Sequence, residues 1–217
     1  MANGGNNKGR GVFVTFEGVD GAGKSTQVAR LVERLRAGGR EVVPLREPGG
    51  TAISEKIRAL LLDPSNAEMA DECELLLYEA SRAQLVRQVI EPALARGAVV
   101  VCDRYFDSTH AYQAGARGLP STLVRQANAL GSCGVVPHLT LVLDMDPDDA
   151  FARATAGGTD RMEAEGAAFQ RRVRADYQAL AAAEPERVRL VDARGTADEV
   201  AARIEAQLAG LTAEVER

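Results

Sequence analysis

The stretch FEGVDGAGKST, residues 16–26, follows the apolar run GVFVTF and precedes a run with helical spacing. Within it Gly18, Val19, Asp20, Gly21, Ala22, Gly23, Lys24 and Ser25 satisfy G-x-x-x-x-G-K-[ST], with Thr26 directly after. A strand before and a helix after is the setting in which this spacing builds a phosphate cradle. Glycines let the backbone curl until several N–H groups point at one anion. The helix starting at Lys24 aims the positive end of its dipole at the same point. Lys24 adds a mobile charge for the β and γ phosphates of a nucleotide, and Ser25 offers an oxygen to Mg²⁺. Lysine occurs only at Lys8, Lys24 and Lys56, and arginine supplies the other cations, so a lysine here departs from the chain's own habit.

Outward from this loop, strand-like and helix-like segments alternate. Residues 12–17, 41–46, 98–102, 139–143 and 188–191 read as strands. Residues 24–37, 51–62, 71–95, 120–130, 148–156, 167–183 and 196–211 read as helices, and a shorter helical region starts near Ser108. AVVVC (98–102) is apolar throughout, as a central parallel strand covered on both faces must be. Such alternation predicts an α/β domain: a five-stranded parallel sheet flanked by helices, with right-handed crossovers. Residues 47–50, 113–119 and 157–166 are the predicted loops. Asp103 closes the apolar run 98–102, which is where a carboxylate can share a metal ion with Ser25.

Composition bounds the partners. The chain has 217 residues, 46% hydrophobic and 26% charged, enough for one sizeable core. Aromatic content is 4% with no Trp, so aliphatic side chains and alanine fill the interior. A net charge of −5 argues against binding nucleic acid through its backbone. No apolar run approaches the ~18 residues a membrane span needs. Cys73, Cys102 and Cys133 are odd in number and lack CxxC spacing, which predicts free thiols and a cytoplasmic protein. Residues 1–10 have no apolar stretch and read as a flexible tail, residues 11–212 as a single domain, and 213–217 as a C-terminal tail.

A phosphate loop suits a GTPase switch, an ATP-driven motor or partner-binding ATPase, or a small-molecule kinase. The N-K-x-D signature for guanine is absent, and a motor needs more chain. A kinase needs a second, arginine-rich site for a phosphorylated acceptor. Arg46, Arg58, Arg82 and Arg104 lie near predicted element ends or on a loop-facing helix. Singly, each reads as a solvated surface residue; together with DRY (103–105) and REPGG (46–50) they favour the kinase.

In order along the chain, EGVDGAGKST (17–26), REPGGT (46–51), IRALLL (57–62), LLLYEASRAQLV (75–86), DRYFDSTHAYQ (103–113) and DRME (160–163) resemble the bacterial thymidylate kinases. The resemblance spans most of the chain from Val12 onward. It implies the three-layer α/β/α fold of P-loop kinases and transfer of the ATP γ-phosphoryl group to dTMP, with Mg²⁺. It also implies a homodimer, without showing which face is used. The alternatives are a kinase for another nucleotide or deoxynucleoside, and a nucleotide-dependent ATPase switch.

The resemblance further implies roles for residues. Asp20 sits between the loop and the acceptor, near its phosphate, its sugar or the metal, and Arg104 grips the acceptor phosphate, where a planar fork suits paired oxygens. Glu47 lies toward the sugar and metal, and Arg58 and Ser108 are further substrate-binding residues. Tyr78 stacks on thymine and Arg82 reads the base edge. Ser81, Thr109 and Gln113 are polar groups around the base, and Tyr112 crowds the 2′ position of the sugar. A lid over residues 153–166 closes on ATP. Because the loop carries Ala22 rather than an arginine, the catalytic arginine is expected from the lid, as Arg153 or Arg161. Thr155 and Gly157 fall where more arginines are expected. Arg171, Arg172 and Arg174 read as a solvated helix face. Arg194 marks a candidate adenine wall, and His110 and His138 are assigned no catalytic role.

Overall fold

The computed structural model describes residues 11–154 and 161–215. Among them, five strands form one parallel sheet: β1 (Phe13–Glu17), β2 (Val42–Arg46), β3 (Val99–Asp103), β4 (Leu139–Asp144) and β5 (Val188–Asp192). Their order is β2-β3-β1-β4-β5. β1 is central, and its two neighbours follow it in the chain on opposite sides. A parallel sheet opens its binding crevice at such a reversal, outside the carboxyl ends of the strands. The register brings Phe16 and Arg46 each opposite Asp103, so the ends of β1, β2 and β3 finish at one edge.

The pleat explains why β3 is apolar throughout. Val99 and Val101 enter one cluster with Val14, Phe16, Val28 and Leu31. Val100 and Cys102 enter a second with Phe13, Leu85, Val86 and Ile90. Both faces of the strand are covered, so neither can be polar. Two positions of β1 break this rule. Thr15 and Glu17 are fully buried, and Thr15 Oγ1 lies 2.9 Å from Thr140 Oγ1. Thr140 in turn donates to Asp107 at 2.8 Å, and Asp107 is held by Arg187 at 2.7 Å. Buried polar groups are tolerated here because they have partners.

The helices are α1 (Lys24–Ala37), α2 (Ala52–Leu62), α3 (Asp71–Leu85), α4 (Glu91–Ala95), α5 (Phe106–Thr109), α6 (Ser121–Gly131), α7 (Pro147–Ala154), α8 (Ala167–Ala183) and α9 (Ala197–Val215). α1 and α8 have the bounds read from the sequence. Thr51 caps α2, its side chain accepting the Ser54 N–H at 3.1 Å. Three expectations need correction. The predicted helix over 71–95 is divided by a π-helical stretch, Val86–Ile90, before α4. Pro92 at the start of α4 cannot donate a backbone hydrogen bond, and the π turn just before it takes up the mismatch. The predicted loop 113–119 begins as a second π-helical stretch, His110–Ala116, with Tyr112 and Gln113 buried. Gly115 there marks close packing rather than a turn: a Cβ would come within 2.5 Å of Asp176 Cβ on α8. Finally α9 runs to Val215, past residue 211, since TAEV holds no Gly or Pro to stop it. The 1–10 tail, the lid residues 155–160 and residues 216–217 lie outside the described residues.

Candidate active site

A cleft of about 430 Å³ opens at the carboxyl edge of β1, β2 and β3. One wall is the phosphate loop. Gly23, the N-cap of α1, has φ 92°, a left-handed conformation that a side chain disfavours. Gly18 has φ 131°, and a Cβ there would lie 2.6 Å from the Leu143 carbonyl oxygen, so β4 seals the back of the loop. The first turn of α1 holds no acidic residue, which leaves its positive dipole end available to an anion. Gly21, Gly23 and Thr26 line the cleft, whereas Val19 and Ala22 are buried behind it.

Lys24 is 7% exposed, and its Nζ donates to Gly18 O at 3.0 Å and Val19 O at 2.8 Å. Burial, then the nearby Arg104 charge, lowers its pKa to about 8. Ser25 Oγ donates to Asp103 Oδ2 at 2.6 Å. This pairs a hydroxyl with a strand-end carboxylate across 78 residues of sequence. Two hard oxygen donors side by side fit a small divalent cation that takes its other ligands from phosphates and water.

Arg104 follows β3 with φ 70°, an uncommon value for a residue with a side chain. Its guanidinium donates to Gly18 O and Ser108 Oγ, each at 3.1 Å, and to Asp20 Oδ1. It also lies 5.1 Å from the centroid of the Tyr112 ring. Burial raises the Asp20 pKa, but Arg104 and then Lys24 outweigh it and leave the carboxyl below its ordinary value. Tyr112 Oη donates to Asp20 Oδ2 at 3.2 Å. Cation, carboxylate and phenol therefore form one patch beside the loop.

The remaining lining comes from β2, α2, α3 and the π-helical stretch. Tyr78 is half-buried on α3 and lines the cleft with Arg58, Thr109 and Gln113. Arg58 Nη1 donates to Pro48 O at 2.9 Å. Arg82 lines the cleft too, but it is 2% exposed, not the solvated residue that reading it alone suggests. It donates to Glu47 Oε2 and Thr109 Oγ1, each at 2.8 Å, and to Glu79. Glu47 is 5% exposed, and its Oε1 has no hydrogen-bond partner. Burial, only partly offset by Arg82, pushes the Glu47 pKa up to about 7. Ser81 does not line the cleft; its Oγ accepts the Gly49 N–H at 3.2 Å and so supports the 47–50 loop from behind.

Arg161 does not line the cleft either. Its side chain is 7% exposed, donates to Leu61 O at 2.8 Å and pairs with Glu74. Arg153 lies in α7, but its side chain is outside the described residues. Arg194 is 74% exposed, away from the cleft lining, and pairs with Asp192 at 2.8 Å. Arg171 and Arg174 face acidic partners, Asp148 and Asp144. His138 Nδ1 accepts the Phe13 N–H at 3.0 Å, and His110 pairs with Asp176 at 2.7 Å.

Four residues escaped the sequence reading. Glu17 is fully buried below Arg104, and burial, then Asp107, pushes its pKa to about 7. Glu74 collects Gln113 at 2.8 Å together with Arg117 and Arg161. Tyr177 reaches Glu17 from α8, and Gln170 reaches Asp20 Oδ2 at 3.4 Å. The one signal for Glu17 was a carboxylate ending an otherwise apolar strand.

The family model for thymidylate kinase matches residues 16–204. A thymidylate kinase of Solidesulfovibrio magneticus is 53% identical over 198 residues, covering 88% of this chain and 95% of that protein. One from Deinococcus radiodurans is 50% identical over 196 residues, covering 90% and 95%. A crystal structure of thymidylate kinase from Ehrlichia chaffeensis superposes with a TM-score of 0.72 at 32% identity, covering 91% of this chain and 98% of that one. With the loop, the Ser25–Asp103 pair and the Arg104–Asp20 patch in one cleft, these matches agree with the geometry: the chain belongs to the thymidylate kinase family.

Proposed function

We propose that the protein transfers the γ-phosphoryl group of ATP to dTMP, giving dTDP and ADP, as a cytoplasmic step toward dTTP. The observation that carries this reading is that one cleft holds two anion-binding ends, the Lys24 loop and the Arg104–Asp20–Tyr112 patch. A hydrolase needs only the first.

An acceptor phosphate is already ionised near neutral pH, so no strong general base is needed. Positioning and charge neutralisation do the work. Lys24 leaves the Gly18 and Val19 carbonyls to take the β and γ oxygens. Arg104 holds the acceptor phosphate, with Asp20 keeping the fork in place. Ser25 and Asp103, with Asp20 of the phosphate loop, would hold Mg²⁺. Such an ion would supply positive charge to the phosphates. Tyr78 stacks on the base, with Arg82, Thr109 and Gln113 supplying polar edges. Tyr112, which lines the cleft beside Asp20, crowds the 2′ position and favours deoxyribose.

A homodimer completes the reading. Leu60 (51% exposed), Leu76 (64%), Leu123 (41%) and Leu130 (78%) lie on α2, α3 and α6, where α3 packs against both other helices. Exposed apolar side chains on neighbouring helices favour association.

Initial rates of ADP formation against a nucleotide panel test the substrate assignment. The expected order is dTMP first, with the ribose analogue at least tenfold lower in kcat/KM. Faster turnover with another monophosphate would overturn the thymidylate reading while leaving the kinase intact.

A further inference from the structure

Beneath Arg104 lies a buried carboxyl group that neither the phosphate loop nor the metal pair uses. Glu17 ends β1 and is 0% exposed. Tyr105 N–H donates to its Oε1 at 2.8 Å. The Tyr177 hydroxyl donates to its Oε2 at 2.8 Å, and the Ser108 hydroxyl donates to the same oxygen. Ser108 Oγ and Tyr177 Oη are 2.9 Å apart, because both hydroxyls converge on that one oxygen. Ser108 Oγ also accepts from Arg104 Nη1 at 3.1 Å.

This cluster constrains Arg104 in two ways. Its backbone sits at φ 70°, a conformation that persists in a non-glycine residue only where the surroundings hold it. The Glu17 bond to the next N–H, with Arg104 N–H on Phe16 O at 2.9 Å, fixes the peptides on both sides. The guanidinium is fixed as well. Gly18 O and Ser108 Oγ take one terminal nitrogen, and Asp20 takes the other. A Ser108 hydroxyl free to rotate could donate toward Arg104 and repel it. Because its proton is committed to Glu17, a lone pair faces the guanidinium instead. Tyr177, 1% exposed, comes from α8 and is buried away from the cleft lining.

We propose that Tyr177 and Glu17, acting through Ser108, are positioning residues that aim Arg104 at the phosphate of the acceptor. Neither touches the substrate. The proposal rests on the reading of Arg104 as the phosphate clamp, and the test separates the two.

Calorimetry with dTMP and with thymidine, which lacks the phosphate, makes that separation. The wild-type protein should bind dTMP more tightly than thymidine, and Arg104→Ala should erase the difference. Tyr177→Phe keeps the ring and removes one hydrogen bond. It should weaken dTMP about three- to tenfold, the range of one net hydrogen bond. Thymidine affinity should not change, and Tyr177→Phe should add nothing in the Arg104→Ala background. Where Tyr177→Phe yields too little folded protein, Glu17→Gln serves the same comparison. Unchanged dTMP affinity in these variants, or equal loss for dTMP and thymidine, overturns the positioning role and leaves the clamp standing. A wild-type protein that does not distinguish dTMP from thymidine overturns both.

Discussion

Lys24 waits on two backbone carbonyls with its pKa lowered to about 8, so at neutral pH it is charged but loosely committed. Moving to a phosphate pairs the ammonium with an opposite full charge, adding a Coulomb attraction that the carbonyls lack. Lys24→Ala should therefore lower kcat by about 10²–10³, the loss seen when a preorganised charge-stabilising donor is removed. Thermal unfolding of the variant should be almost unchanged, and near-normal turnover would refute the role. At this scale the sequence was legible at motifs and strand ends, and illegible where side chains pair. Lys24 and Ser25 sit inside one short motif, and Asp103 ends an apolar run. Glu17 finds Tyr177 across 160 residues, and Arg82 finds Glu47 across 35. Pairing over such separations depends on how the helices dock, which no local pattern records.

At the scale of elements, packing overrode propensity twice. The two π-helical stretches occur where a helix must pass Pro92 and where Tyr112 and Gln113 must both turn inward beside Gly115. Periodicity located the helices α1 and α8 because each buries one continuous face, and the central strands were legible as apolar runs covered on both faces. It failed at 113–119, where a glycine allows close contact with α8 and only looks like a turn. Gly131, at the end of α6, is the same kind of position: a Cβ would lie 1.9 Å from Glu79 Oε2, and Glu79 is held by Arg82. Gly131→Ala should cost about 1–3 kcal/mol, the usual penalty of overpacking. It should also raise the dTMP KM, because Arg82 lines the cleft. Urea unfolding and acceptor kinetics measured together check this, and a variant with wild-type values in both would contradict the packing.

For the whole molecule, the buried acids set a pH dependence. Glu17 and Glu47 have ordinary values of 4.5 and are raised to about 7 in the fold. Between these values the folded chain binds more protons than the unfolded chain. Stability from these groups is thus present at pH 4.5 and below and is lost as pH rises to 7, by up to about 1.4 kcal/mol per pH unit for each group. Wild-type urea midpoints should fall more steeply from pH 5 to 7 than those of Glu17→Gln; parallel curves would show that Glu17 is not the titrating group. Sedimentation should find a dimer that Leu76→Glu converts to monomer, and a wild-type monomer at micromolar concentration would remove the α2–α3–α6 interface from the account. The central claim is that one cleft passes a phosphoryl group between two bound nucleotides, and the fate of labelled γ-phosphate tests it most directly. Incubated with Mg²⁺, labelled ATP and dTMP, the protein should place the label in dTDP, with little inorganic phosphate and no turnover when dTMP is omitted. Label released as inorganic phosphate at the same rate with or without dTMP would contradict the account.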